Sequence, residues 1–251
     1  MSDHHTTPAA MSSALAAAHR RVERVFAGRT AKPGGCGRCY FPEELALLTV
    51  PRAPMSDDLV RMMFHETPDH FADHPGVIRR LLPQFLAYAA EGRFEGAGYL
   101  PTGLGRTGWQ AWPREEAEAV DGFLSVWWAE ALASPTPASG LRTVYELCAD
   151  MRQSVTPMLD HWAAHLGEEV PRRHLVAWLD EGVDDLLQDD ASSWTSSWAP
   201  DPLAEVQDWL LRHASRLDAR VPLLALPPEE RWIAYAETVA AADSASAADT
   251  S

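Results

Sequence analysis

The sequence predicts an all-α protein, and three observations carry that expectation. Apolar residues recur at helical spacing along most of the chain. No segment alternates with period two in β-branched residues, so no sheet is assigned. Proline stands at the opening of several apolar-periodic runs, namely Pro42, Pro75, Pro113, Pro171 and Pro228. There it presets φ for a first helical turn and forbids continuation of the helix before it. About nine helices follow, stacked as antiparallel pairs in an irregular bundle or a short HEAT-like, repeat-like α-solenoid.

The elements follow in order. Residues 1–11 and 242–251 are small, polar and aperiodic, and read as disordered tails around one helical domain over 12–241. Ser12 or Ser13 caps a first helix that buries Leu15, Val22, Val25 and Phe26 and stops at Gly28. A Cys-bearing loop spans 29–41. Pro42 then opens a short helix with acids in its first turn. Ser56 starts a helix that turns Leu59, Met62, Met63 and Phe64 inward. Pro75 opens the next, with a wide stripe from Val77 to Leu86 and a kink expected near Arg79–Arg80 from Pro83.

Residues 92–112 form a long Gly-rich loop. Pro113 begins the longest helix, burying Val120, Phe123, Leu124, Trp127 and one face of Trp128. Residues 140–167 read as a helix broken or kinked near Pro157. Pro171, Leu203 and Pro228 open or lie in the last three helices, the first two separated by a polar loop carrying Trp194 and Trp198.

Composition excludes several function classes. The 251 residues include only three Cys, against a disulfide-stapled fold. No apolar run approaches the roughly 20 residues of a membrane span, and no leader pattern opens the chain. A water-soluble cytoplasmic protein is expected. The net charge of −15 disfavours autonomous binding to nucleic acid or anionic lipid. Lys32, followed by Pro33, is the sole lysine, so neither a P-loop nor a pyridoxal-phosphate Schiff base is available. No G-x-S-x-G elbow and no D-x-D-x-D-G calcium loop occurs.

Charge is unevenly placed. Arg20, Arg21, Arg24, Arg29, Lys32 and Arg38 face only Glu23 within 20–38, while Asp180, Glu181, Asp184, Asp185, Asp189 and Asp190 crowd an acidic stretch with no base. The basic stretch can take an acidic partner or dock on the chain's own acids; a solvated charged face is the plainer alternative.

Cys36-Gly37-Arg38-Cys39 is the sharpest local motif. Gly34, Gly35 and Gly37 suit a tight turn that lets two thiolates face one ion, as in half a zinc ribbon. Further ligands would come from Cys148 or from His65, His70 and His74; a redox pair and an incidental pair are the alternatives. His65 and His70 are five apart across Pro68, which fails the H-E-x-x-H spacing, so a turn with capping side chains is the plainer reading. His161 and His165 lie four apart on one helical face, near Glu168 and Glu169, and form a second candidate ligand pair. Gly103-Leu104-Gly105-Arg106-Thr107-Gly108 has the letters of a dinucleotide loop without a strand before it or a helix opening within it. As a contact surface this region offers Tyr99, Arg106, Trp109 and Trp112, and the serine loop offers Trp194 and Trp198, unless those rings cap the core.

The segments GGCGRCYFPEELALL, PMSDDLVRMMFHETPDHFADHPGVIRRLLPQFLAYA and FLSVWWAEAL resemble an uncharacterised family of bacterial all-helical proteins. In that family a Cys-containing N-terminal loop precedes an acidic helix, and a second helix carries a Leu-Pro-Arg step. The likeness covers about residues 20–135, and Gln84 stands where the family has arginine. It implies the helical fold and no function.

The leading expectation is a non-enzymatic helical binding or scaffold protein with a protein partner and no cofactor. The alternative is a zinc-binding protein or zinc-dependent hydrolase using Cys36, Cys39, His161 and His165. A third is a small-molecule pocket between kinked helices.

Overall fold

In the computed structural model, residues 11–93, 103–192, 194 and 202–248 are described. Among them are ten α-helices: α1 Ser13–Val25, α2 Pro42–Leu47, α3 Asp57–His65, α4 His74–Ala90, α5 Arg114–Ala133, α6 Leu141–Arg152, α7 Thr156–His165, α8 Glu169–Leu187, α9 Leu203–His213 and α10 Pro228–Ala248. The all-helical reading holds: among the described residues the sole β feature is one antiparallel bridge, Gly35 with Phe71. No helix among them is long and apolar enough to cross a membrane.

Backbone contacts divide the chain into two compact units, residues 1–153 and 154–251, where the sequence reading kept 12–241 together. The division falls at Gln153, which closes α6 in the left-handed region at φ 54. The helical break expected near Pro157 therefore comes four residues earlier, and Pro157 serves as an opening proline of α7.

In the first unit α1 packs on α4 and α5, α3 on α4, and α5 on α6. Ser12 caps α1 and Ser56 caps α3, each through a side-chain oxygen that accepts from the backbone N–H of Leu15 and Leu59. The buried face of α4 carries Ile78, Leu81, Leu82 and Phe85, and Phe85 stacks on Phe64 with ring centroids 3.6 Å apart. Met62, expected inward, is 44% exposed; Val60 takes the buried position instead. The helix α4 runs through Pro83 without interruption.

Glu116, in the first turn of α5, is only 2% exposed. It accepts from Arg79 Nε of α4 at 2.8 Å and pairs with Arg29 beyond α1. Arg79 also lies over the Trp112 ring, 4.1 Å from its centroid. A buried carboxylate with two guanidiniums thus ties α4, α5 and the segment leaving α1.

In the second unit α7 packs on α8 and α9, and α8 on α10. Its centre is aromatic: Trp162 meets Trp178 at 5.4 Å and Trp209 at 6.1 Å, and Trp178 stacks on Trp194 at 5.4 Å. Trp162 and Trp194 donate their indole N–H to the carbonyls of Pro171 and Gly182. The acidic stretch is partly neutralised locally. Arg220, which precedes the 3-10 segment Val221–Ala225, binds Asp218 at 2.6 Å and Asp184 at 3.1 Å, and Arg231 binds Asp189 at 2.5 Å. Two boundaries move outward. Helix α8 starts at Glu169, ahead of Pro171, and α10 continues to Ala248 through much of the stretch read as a tail.

Two stability predictions follow from the first unit. Arg79→Met leaves the buried Glu116 with one partner and should cost about 2 kcal/mol in urea unfolding, whereas Arg21→Gln, which removes an exposed pair with Glu118, should cost at most about 0.5 kcal/mol. His74 is buried, and burial first and the Arg106 charge second lower its pKa to about 4 against the pull of Asp73. The unfolded chain, with histidine at about 6.5, then binds more protons between those values. Stability is full above that window and falls as pH drops through it. The urea midpoint should decline over this range, and the decline should shrink in His74→Met.

Candidate metal centre

The Cys-bearing loop does not stand free. Cys36 N–H donates to the His70 carbonyl at 2.9 Å, and Ala72 N–H donates to the Gly34 carbonyl at 2.9 Å. These two bonds lay the loop against residues 70–72, at the end of the short 3-10 segment Pro68–His70. The approach is close enough to exclude a side chain. A Cβ on Gly35 would meet the His70 carbonyl oxygen at 2.9 Å and Leu45 at 3.0 Å, and one on Gly34 would meet Ala72 Cβ at 2.9 Å. Gly37, by contrast, has open space around it. The first two glycines thus serve backbone contact across the fold, where the sequence suggested a local turn.

The consequence is chemical. Ligand atoms of Cys36, Cys39 and His70 all lie within 4.8 Å of one another, and no other group of three such ligands occurs among the described residues. Cys39 Sγ is 3.5 Å from His70 Nδ1. The Glu66 carboxylate is 3.3 Å from that same nitrogen, so it stands beside the ligand set. Cys36 accepts from the backbone N–H of Arg38 and from the Cys39 thiol, which lowers its pKa; the pKa of Cys39 is raised by that same bond and then by burial. Of the two thiols, Cys36 is the more readily ionised. Two sulfurs and an imidazole make a soft set that suits Zn²⁺.

The remaining candidates sort differently. His161 and His165 belong to the second unit and join no group of three ligands among the described residues. Their rings are 4.3 Å apart, and His165 Nδ1–H donates to the His161 carbonyl at 2.8 Å, a contact within one helix. Cys148 is wholly buried beside the Leu124 carbonyl, and burial pushes its thiol up to about 12, so it is a core residue. His65 packs edge-on to Phe85, and His74 stacks on Phe71. Of the histidines around the Cys loop, His70 alone reaches it.

The aromatic contact surface needs correction. Trp109, Trp112 and Trp194 are buried. Trp109 donates to the Met151 carbonyl at 2.6 Å, and Trp112 lies against Phe26 and Arg79. The apolar rings gain more from the core than from water, so they cap it. Arg106 is half-buried in a 3-10 turn; Tyr99 and Trp198 lie outside the described residues. The glycines of the 103–108 stretch serve packing. A Cβ on Gly103 would meet Ile78 at 2.7 Å, and one on Gly105 would meet the Asp150 carbonyl at 2.4 Å. Glu66 was missed in the sequence because its role appears only once His70 meets the loop.

No family model, curated protein or solved structure matches the chain.

If the close approach of loop and turn places the ligands, Gly35→Ala must push them apart. The expected cost is about 1–3 kcal/mol in thermal or urea unfolding, against at most about 0.5 kcal/mol for Gly37→Ala.

Proposed function

We propose that the chain is a zinc-binding helical protein, with the ion held by Cys36, Cys39 and His70 in a structural role. The observation that supports this reading is the meeting of three soft ligands from segments more than thirty residues apart. An ion there would tie the loop 29–41 to the Pro68–His70 turn and so reinforce two backbone hydrogen bonds at the edge of the first unit. Glu66, whose carboxylate lies 3.3 Å from His70 Nδ1, stands beside the set and would supply the fourth ligand that a structural zinc takes. The sequence expectation of a zinc site thus keeps its two cysteines and exchanges His161 and His165 for His70.

Protein purified without a polyhistidine tag should contain one zinc ion per chain by elemental analysis. Cys36→Ser and His70→Ala should each abolish that content, and Glu66→Gln should weaken zinc affinity about tenfold or more. A chelator should lower the melting temperature of the wild type and leave Cys36→Ser unchanged. Substoichiometric zinc indifferent to Cys36→Ser would overturn the site. Metal removal without any change in melting temperature would overturn the structural role.

A further inference from the structure

A cleft of about 750 Å³ opens in the first unit between the end of α1, the turn at residues 50–55, and α4. It is lined by Arg20, Arg24, Arg29, Arg52 and Arg80, with Glu23 the one acid. In a chain of net charge −15, this concentration of guanidinium is local and opposite in sign.

Most of these charges are not consumed by the protein. Arg29 is shared with Glu116. Among the described residues, no carboxylate lies within 4 Å of Arg20, Arg24, Arg52 or Arg80. Arg80 is the informative one. It is 7% exposed, and its guanidinium donates to two backbone carbonyls, Ala53 at 2.7 Å and Val50 at 3.2 Å. A buried cation matched only by neutral dipoles is costly unless an anion offsets it. Arg52 adds a second sign of function: its backbone sits at φ 58, a left-handed conformation unfavourable for a residue with a long side chain. Phe26, Pro54 and Pro83 supply an apolar wall beside the charges.

We propose that this cleft binds a small molecule carrying two or more oxyanion groups, phosphate or carboxylate, on an apolar body. The arginine forks match either oxyanion in pairs of parallel hydrogen bonds. The volume suits a ligand of metabolite size. Cys36, Cys39 and His70 do not line the cleft, so the proposal stands apart from the zinc reading and is tested without it.

Calorimetric titration of the full chain with ADP, pyrophosphate and citrate separates the sources of the charge. One-to-one binding of at least one of them is expected, weakening as salt is raised. The double variant Arg24→Gln/Arg52→Gln should weaken it about tenfold or more, with circular dichroism showing the fold retained because both side chains are exposed. Arg80→Met should remove binding altogether. The proposal is overturned if none of the three binds at millimolar concentration, or if the double variant binds as the wild type does. It is equally overturned if a polyglutamate peptide binds and no small oxyanion does.

Discussion

Two backbone hydrogen bonds, Cys36 to His70 and Gly34 to Ala72, set the geometry of the candidate site. They form because Gly34 and Gly35 present no side chain to the facing strand of backbone. Around them the contacts agree. Tyr40 stacks on Phe71 with centroids 5.3 Å apart. Asp73 accepts from Gly76 N–H to cap α4 and lies 3.4 Å from the backbone nitrogen of Lys32. The helix start that positions the core stripe of α4 and the loop that carries the cysteines therefore share one residue. Ligand placement is a by-product of how α4 begins.

Charge placement follows a related logic. The chain is acidic overall, yet its arginines are not dispersed as simple counterions. Arg29 and Arg79 converge on the buried Glu116, and Arg220 and Arg231 gather acids from the 180–190 stretch within their own unit. A solvated charged face describes only part of that stretch, because Asp184 and Asp189 are paired within the unit. The basic stretch after residue 20 divides. Arg21 and Arg29 pair with α5, while Arg20 and Arg24 face the cleft without a carboxylate partner among the described residues. A group that α5 neutralises cannot serve a ligand, and the ones left over can.

The helices were legible because their signals are local. Ser12, Ser56 and Pro42 mark starts by chemistry confined to one turn, and the apolar stripes of α4 and α5 repeat within a single helix. Met62 and the tryptophans show where locality ends. Whether a ring at Trp109 or Trp194 meets water depends on what crosses over it, and that partner lies beyond its own turn: Met151, 42 residues on, for the first, and Gly182 of α8, 12 residues back, for the second. His70 illustrates the same limit. Its spacing from Cys39 matches no finger pattern, and only the approach of Gly35 to Phe71 makes it a neighbour. Arg80 is buried within α4, and its partners, the carbonyls of Val50 and Ala53, lie in the turn at 50–55, beyond any local signal.

The most direct measurement is cobalt(II) titration of tag-free, metal-stripped protein, followed by absorption. Two thiolates and an imidazole around one ion should produce sulfur-to-cobalt charge transfer and the intense visible bands of a tetrahedral site, saturating at one ion per chain. His70→Ala should distort or abolish those bands. Pale octahedral spectra, or bands indifferent to His70, would contradict the central claim.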